Sequence, residues 1–256
     1  MLSQLLNLNL FAFLLIFTRV GMAFSLMPGF GSQQVPLPAR LALALLVSFL
    51  LTPVLLPVLP TEPSATSVLF LLLVSEILIG GFLGIIPRIF LGALQTAGTL
   101  MAMLASMANA FVMDPVSEQQ SAVFSTFLST VAITLIFVTN SHHVMLAAVV
   151  DSYGVFVPAE GAAVADMSDY IAHRVADSFR IGVQISSPLI VAGLAYYVGL
   201  GIMGRLMPQL PVFFFGMPVQ IAMQFSLFMI SLSSMMLVFM RYFVDGLTQF
   251  TALPGG

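Results

Sequence analysis

The sequence predicts an all-α membrane protein of about six to seven apolar helices, kinked by prolines and arranged as hairpins. Of its 256 residues, 60% are hydrophobic and only 7% are charged, whereas a soluble globular domain carries about 25% charged residues. Apolar runs of about 20 residues, the length that crosses a bilayer, recur along the chain. Several of these runs contain or precede one of the 15 prolines, and a proline removes one helix hydrogen bond.

Charge and cysteine content exclude several classes of function. All 7 basic residues are arginine and the formal net charge is −3, so neither sign dominates and no nucleic acid partner is indicated. The chain has no cysteine, which excludes disulfides and thiolate chemistry. No serine lies in a GxSxG motif, so a serine nucleophile is not indicated. An intramembrane protease stays open as an alternative at this point.

The chain divides into seven apolar segments. Pro87 should bend or end the third segment before Arg88, and the polar residues 139–143 should interrupt the fifth. An amphipathic helix is expected at 164–179, in the one extended polar region. Arg19, inside the first segment, must either reach the headgroups or meet a partner. The segments are 5–26, 41–59, 67–86, 89–112, 123–150, 181–203 and 219–240.

The stretch 76–120 departs most from a generic apolar helix. In this stretch, two charged residues and three glycines follow one another at intervals of four residues, which places them near one face of a helix. We expect another part of the protein or another subunit to cover this face. Gly80 and Gly84 form a GxxxG, the spacing at which membrane helices pack closely. We interpret the stretch as a tightly packed helix pair that ends in a short polar loop. The five residues are Glu76, Gly80, Gly84, Arg88 and Gly92.

Glu76 is the most deeply embedded acidic residue. One interpretation is a proton or ion site, because a carboxylate in a membrane is costly and is usually functional. The other, which we favour, is a hydrogen bond or ion pair with a neighbouring helix or subunit. Arg88 lies about 18 Å further along a straight helix, so it is too distant to be that partner within the same helix.

The histidine pair His142 and His143 does not predict a metal site. Adjacent residues on a helix point about 100° apart, and no histidine or carboxylate lies three or four residues away to complete a ligand set. A polar cap at a helix break is the expected role.

The methionines that precede the polar loop allow two interpretations. Met101, Met103 and Met107 are either gap-filling core residues or a candidate constriction, in which flexible apolar side chains seal around a passing polypeptide. The polar residues 114–120 that follow have no reason to interrupt a membrane bundle unless they meet water.

A series of short motifs, in order along nearly the whole chain, resembles the FliR/SctT family of membrane subunits of flagellar and virulence type III protein-export gates. Glu76 with Gly80 and Gly84 is similar to the family's ExxxGxxxG helix, and Asp114-Pro115 to its central loop. The other matching stretches are Pro28-Gly29-Phe30-Gly31, Val35-Pro36, Arg40-Leu41-Ala42-Leu43, Asn140-Ser141-His142-His143, Asp151-Ser152-Tyr153, and Pro208-Gln209 with Phe213-Phe214, Gly216 and Pro218. The chain departs from the family pattern at Ser141, Pro211 and Gln220, where Gly, Asn and Lys are common.

The resemblance implies a subunit of a helical hetero-oligomeric gate in the bacterial inner membrane, at the flagellar basal body. The implied partners are FliP-type and FliQ-type subunits, FlhB-type and FlhA-type export components, unfolded export substrates and membrane lipid. Residues 1–170 would be similar to a FliP-type subunit and residues 171–256 to a FliQ-type helical hairpin.

The resemblance also implies roles for individual residues. By position, residues 109–121 match the family's plug loop, which blocks the lumen at rest. The plug and pore residues are Asn109, Met113, Asp114, Pro115, Glu118, Gln119 and Gln120. Helix packing or contact between subunits is implied for Glu76, Gly80, Gly84, Arg88, Gly92, Pro208, Gln209 and Phe213.

The resemblance therefore leads us to expect a non-enzymatic subunit of a flagellar type III export gate that conducts unfolded proteins across the inner membrane. We expect it to have no catalytic residue and no cofactor. Two alternatives stay open at this point. One is a subunit of a virulence-type gate. The other is a stand-alone secondary transporter that uses Glu76 and Arg88 for ion coupling.

Overall fold

The computed structural model describes residues 2–32, 35–105, 123–158, 161–209 and 212–251, with side chains described from residue 10 to residue 250 except for 212 and 213 within these ranges. All regular structure in these ranges is helical, which confirms the predicted all-α class. The helices are α1 (Leu2–Leu26), α2 (Leu37–Leu55), α3 (Thr66–Leu104), α4 (Val123–Val138), α5 (His142–Val155), α6 (Val164–Leu206) and α7 (Val212–Thr251).

Four of these helices, α2, α3, α6 and α7, are long and apolar enough to cross a membrane. A bend of 73° separates α4 from α5, and the two together make a fifth candidate span. The part of α1 with described side chains, Leu10–Leu26, is a shorter apolar helix. The chain is therefore a multi-pass membrane protein.

Prolines interrupt the helices less than the sequence predicted. α3 continues through Pro87, so the predicted separation of residues 67–86 from residues 89–112, and the helix pair that depended on it, are wrong. The predicted bend at Pro87 stays a prediction. Pro188 lies inside α6, as predicted for the segment 181–203, and Pro218 lies inside α7. α7 therefore begins before the predicted residue 219, and the predicted amphipathic helix at 164–179 is the first part of α6. A proline removes only one N–H from the ladder, and apolar turns on both sides keep a membrane helix continuous.

The predicted interruption of the fifth segment is confirmed at the elbow between α4 and α5. Asn140 adopts a left-handed backbone conformation with φ 58°, which asparagine tolerates better than most residues. Ser141 has φ −65°, so a serine fits here without strain. The Thr139 and Ser141 hydroxyls are hydrogen-bonded at 2.8 Å. The elbow is thus a specific turn made by polar residues.

Contacts within the chain define two compact units. Unit 1 combines Met1–Ile89, Ile136–Arg174 and Phe243–Gly256, and unit 2 combines Phe90–Leu135 and Val175–Tyr242. The predicted division at residue 170 concerns similarity to other gate subunits, and it stays a prediction.

In unit 1, α1 lies directly against α3. A Cβ on Gly80 would collide with the carbonyl oxygen of Arg19, and a Cβ on Gly84 would lie 2.7 Å from the carbonyl oxygen of Ala23. Only glycine permits two helix backbones to approach this closely. The GxxxG of α3 is therefore the surface on which α1 packs.

In unit 2, the second half of α3 contacts both α4 and α6. A Cβ on Gly98 would overlap the backbone of Ser125 in α4, and a Cβ on Gly182 of α6 would lie 2.8 Å from the carbonyl oxygen of Ala93. Small residues thus set the helix spacing in this unit as well.

Within unit 2, α6 and α7 run antiparallel. The Tyr196 hydroxyl donates to the carbonyl oxygen of Gly216 at 2.6 Å, and the Gln224 side chain donates to the carbonyl oxygen of Leu189 at 3.2 Å. The contact further along α7, at Gln224, is made with the residue earlier in α6, at Leu189. This order of contacts is the geometry of a helical hairpin.

The glycine contacts predict different outcomes for two alanine substitutions in α3. Gly80→Ala should destabilise the fold by about 1–3 kcal/mol, because the new methyl group overlaps the α1 backbone. Gly92→Ala is the matched control: a Cβ there meets no atom within 4 Å, so a gain of up to about 1 kcal/mol from helix propensity is expected. Thermal loss of helical circular dichroism in detergent measures both. Equal effects of the two substitutions would contradict the packing of α1 on α3.

Candidate functional site

A buried ion pair joins α1 to α3 in unit 1. The Arg19 Nε donates to Glu76 Oε2 at 2.5 Å, and Arg19 Nη2 donates to Glu76 Oε1 at 3.0 Å. Their side chains are 0% and 1% exposed. This two-pronged geometry matches the planar guanidinium to the carboxylate and is the strongest form of such a pair.

The end of α5 completes the surroundings of the guanidinium. Arg19 Nη1 donates to the Ser152 hydroxyl at 3.1 Å, and Nη2 also donates to the Phe156 carbonyl oxygen at 3.0 Å. The Tyr153 ring lies flat beneath, with its centroid 3.9 Å from the guanidinium carbon. Phe156 directly follows α5, where carbonyl groups lack helical partners and attract a cation. We call Arg19, Glu76, Ser152, Tyr153 and Phe156 the arginine cluster.

The arginine cluster engages both oxygens of the Glu76 carboxylate. A carboxylate held in this way differs from the free, water-facing acid that carries protons or ions through a membrane. Breaking such a pair by removing one partner leaves a buried charge without compensation, at a cost of about 3–5 kcal/mol. The geometry therefore favours the structural interpretation of Glu76.

Two of the five residues counted in fours along α3 do not share the buried face. Glu76, Gly80 and Gly84 are buried, whereas Arg88 is exposed and Gly92 faces open space. Each step of four residues turns a helix about 40° past a full turn, so the face drifts away by Arg88. The prediction of one common face is thus wrong within this chain. Contact of these residues with another subunit stays a prediction.

The predicted plug residues lie outside the described residues. They are Asn109, Met113, Asp114, Pro115, Glu118, Gln119 and Gln120. Of the predicted constriction, Met101 is fully buried and Met103 is 55% exposed, while Met107 lies outside the described residues. Pro208 and Gln209 are exposed between α6 and α7, and Phe213 lies in α7 with its side chain outside the described set.

The histidine pair lies at the elbow, where α5 begins. The rings of His142 and His143 are 4.1 Å apart, and His142 stacks on Phe137 at 5.0 Å. Within the described ranges, no group of three potential metal ligands is found.

The sequence alone did not bring the members of the arginine cluster together. Arg19 and Glu76 were each recognised as charges that need a partner, yet 57 positions separate them. A usable signal existed, because two isolated opposite charges in neighbouring apolar helices are natural partners. Ser152 and Tyr153 appeared only as part of a matching motif, and nothing in the sequence indicated the Phe156 carbonyl group.

The arginine cluster predicts a characteristic pattern of stability changes. Arg19→Leu or Glu76→Leu alone should destabilise the chain by about 3–5 kcal/mol, whereas the double variant should recover most of that loss because no unpaired charge remains. Thermal unfolding of the purified protein in detergent measures the cycle. The control is Arg88→Leu, where an exposed arginine should matter by about 0.5 kcal/mol or less. Additive losses in the double variant would contradict the ion pair.

Comparison with known proteins places the chain in a family. A family model described as bacterial export proteins, family 1, matches residues 10–246. The flagellar biosynthetic protein FliR of Caulobacter vibrioides is 35% identical over 237 residues, which cover 93% of this chain and 94% of that protein. The FliR protein of Bacillus subtilis is 29% identical over 253 residues, 95% of this chain and 96% of that protein. The Yop proteins translocation protein T of Yersinia pestis is 27% identical over 173 residues, 66% of this chain and 65% of that protein. The resemblance found in the sequence motifs is confirmed, and the chain belongs to the FliR/SctT family of bacterial export proteins.

Proposed function

We propose that this chain is a subunit of the flagellar type III export gate in the bacterial inner membrane, at the flagellar basal body. With FliP-type and FliQ-type subunits it forms the pore through which unfolded export substrates pass, and FlhB-type and FlhA-type components are its further partners. The observation that carries the proposal is the match to flagellar biosynthetic proteins along more than nine tenths of the chain.

A virulence-type export gate is the second candidate. The match to the Yersinia translocation protein favours it, but that match covers 66% of this chain at 27% identity. The longer and closer matches are to flagellar proteins, so the flagellar gate is the preferred assignment.

The arginine cluster argues against a stand-alone ion-coupled transporter. Glu76 is fully engaged by Arg19, and Arg88, the second residue proposed for ion coupling, is exposed. A buried ion pair with no net charge, which fixes α1 against α3, suits a subunit whose helices stay in place while a polypeptide passes. Glu76 is accordingly assigned to the scaffold of the gate.

The antiparallel pair of α6 and α7 supports a FliQ-like C-terminal part. These helices span 43 and 40 residues, and the contacts of Tyr196 and Gln224 run in opposite directions along them. A two-helix hairpin is the form expected of residues 171–256, and residues 1–170 are then the FliP-like part.

Residues 109–121 are assigned to the plug that closes the pore at rest. This segment connects α3 to α4 and carries Asp114, Glu118, Gln119 and Gln120, which are side chains that need water or polar partners rather than lipid. An aqueous lumen meets that need. Met101 and Met103 of α3, together with Met107, are assigned to the constriction.

Deleting residues 109–121 tests the plug assignment. In gates assembled with FliP-type and FliQ-type subunits and reconstituted in liposomes, the deletion should raise ion leakage several-fold, because a dewetted or filled constriction is what stops ions. A Gly/Ser segment of equal length is the matched variant, since it keeps the connection but removes the side chains. Unchanged leakage in both variants would count against the plug.

The gate assignment has its own test. Co-expressed with FliP-type and FliQ-type subunits, the chain should co-purify as a stable complex, and expressed alone it should transport no ions. A well-folded chain that transports ions by itself would contradict the proposal.

A further inference from the structure

The glycines of α3 differ in what lies against them. Gly80 and Gly84 are covered by the backbone of α1, and Gly98 is covered by the backbone of α4. Gly92 lies in the same helix, yet a Cβ there would meet no atom within 4 Å. A glycine weakens a helix relative to alanine, and no contact within the described residues requires one at this position. The close approach that Gly92 permits is therefore open to another polypeptide.

Arg88, one turn before Gly92, is a charge without a partner in the described part of the chain. Its side chain is exposed, and among the described residues none forms an ion pair or a hydrogen bond with it. An arginine in an apolar membrane helix needs water, a lipid headgroup or an opposite charge. Arg88 must therefore find its counter-charge or its solvent outside the chain.

Two more polar residues lie on the same face of α3. Gln95 and Thr99 are exposed, and at 100° per residue they fall within about 60° of Arg88 and Gly92 around the helix. We call these four residues the Arg88 face. Glycine, threonine and glutamine are residues through which membrane helices contact one another.

The exposed side of the first half of α3 is different. It carries large apolar side chains, among them Phe70, Leu71 and Ile77, which are 69%, 68% and 42% exposed. Lipid tails can cover such residues without any loss of hydrogen bonds. The Arg88 face is therefore the part of the exposed surface of α3 that suits a protein partner.

The packing of α1 on α3 shows what a face of this kind binds. There Glu76 precedes Gly80 by one turn, and Arg19 supplies the opposite charge. The carbonyl oxygen of Arg19 lies over Gly80, so the ion pair and the close backbone contact come from the same neighbouring helix. Arg88 and Gly92 have the same spacing, with the opposite sign of charge. A headgroup phosphate could neutralise Arg88, but it would make no use of the glycine.

We propose that the Arg88 face binds a helix of a FliP-type or FliQ-type subunit, whose carboxylate pairs with Arg88 and whose backbone crosses α3 at Gly92. This inference rests on the proposed function, because the partner is a subunit of the same gate. It adds the place of contact and the chemistry of the partner: an acidic side chain on a helix that approaches closely.

A cross-link without a spacer tests the ion pair. All seven basic residues of the chain are arginine, so Arg88→Lys introduces its only lysine side chain. A carbodiimide joins an amine to a carboxylate in contact with it, forming an amide while the reagent takes up the water. In the gate co-expressed with FliP-type and FliQ-type subunits, Arg88→Lys should give a covalent product with one of these subunits, which mass spectrometry locates at residue 88. Arg205→Lys, at another exposed arginine, is the matched control and should give no such product.

A larger residue at Gly92 tests the close approach. Gly92→Leu should lower the amount of assembled gate by about five- to a hundredfold, because the side chain would occupy the space of the partner backbone. The thermal stability of the chain alone should not fall, since a Cβ at this position meets no atom within 4 Å. A loss of stability in the chain alone would contradict the open space at Gly92 and overturn the inference.

The outcomes separate this inference from the gate assignment. If the parent chain does not assemble with FliP-type and FliQ-type subunits, the proposed function fails and the inference fails with it. If the parent assembles but Arg88→Lys gives no cross-link to either subunit, or Gly92→Leu assembles as the parent does, the inference is overturned while the gate assignment stands. A cross-link to a second copy of this chain would also overturn it, because the partner would then be another molecule of the same kind.

Discussion

A guanidinium without exposed surface has to be neutralised and hydrogen-bonded by the protein around it, and at Arg19 this requirement fixes three helices at once. Glu76 of α3 supplies the opposite charge, and the end of α5 supplies a hydroxyl and a carbonyl group. Apolar side chains cannot give this specificity, because in a bilayer lipid tails replace them at little cost. The five donors of arginine point in fixed directions, so they restrict how α1, α3 and α5 can be arranged around Arg19.

The glycines of α3 and the ion pair depend on each other. Gly80 lies one turn beyond Glu76 and is covered by the carbonyl oxygen of Arg19 itself. A larger residue at that position would push α1 outward and lengthen the contacts between the guanidinium and the carboxylate. The close approach of two backbones and the pairing of two buried charges are therefore one structural feature of unit 1.

Hydropathy was enough to predict the helical membrane class, because a bilayer requires the same apolar length of every span. It was not enough to predict where helices end. Pro87 leaves α3 continuous, whereas Asn140 ends α4 by adopting a left-handed conformation. The spacing of four residues correctly placed Gly80 and Gly84 on the same helix face as Glu76, but it wrongly included Arg88. Each step of four residues turns the helix about 40° past a full turn, and this rotation adds up along the helix. The pairing of Arg19 with Glu76 depends on which helices become neighbours, and local sequence does not encode that.

Two polar contacts from other helices hold α3, one near Glu76 and one at Leu104, and they differ in strength. The Gln220 side chain of α7 donates a hydrogen bond to the Leu104 carbonyl oxygen at 2.5 Å. This bond joins neutral groups, which contribute about 0.5–1.5 kcal/mol, whereas breaking a buried ion pair costs about 3–5 kcal/mol. A rearrangement of this subunit would break the weaker contact first. The Leu104 end of α3 is thus held less strongly than the part of the helix around Glu76.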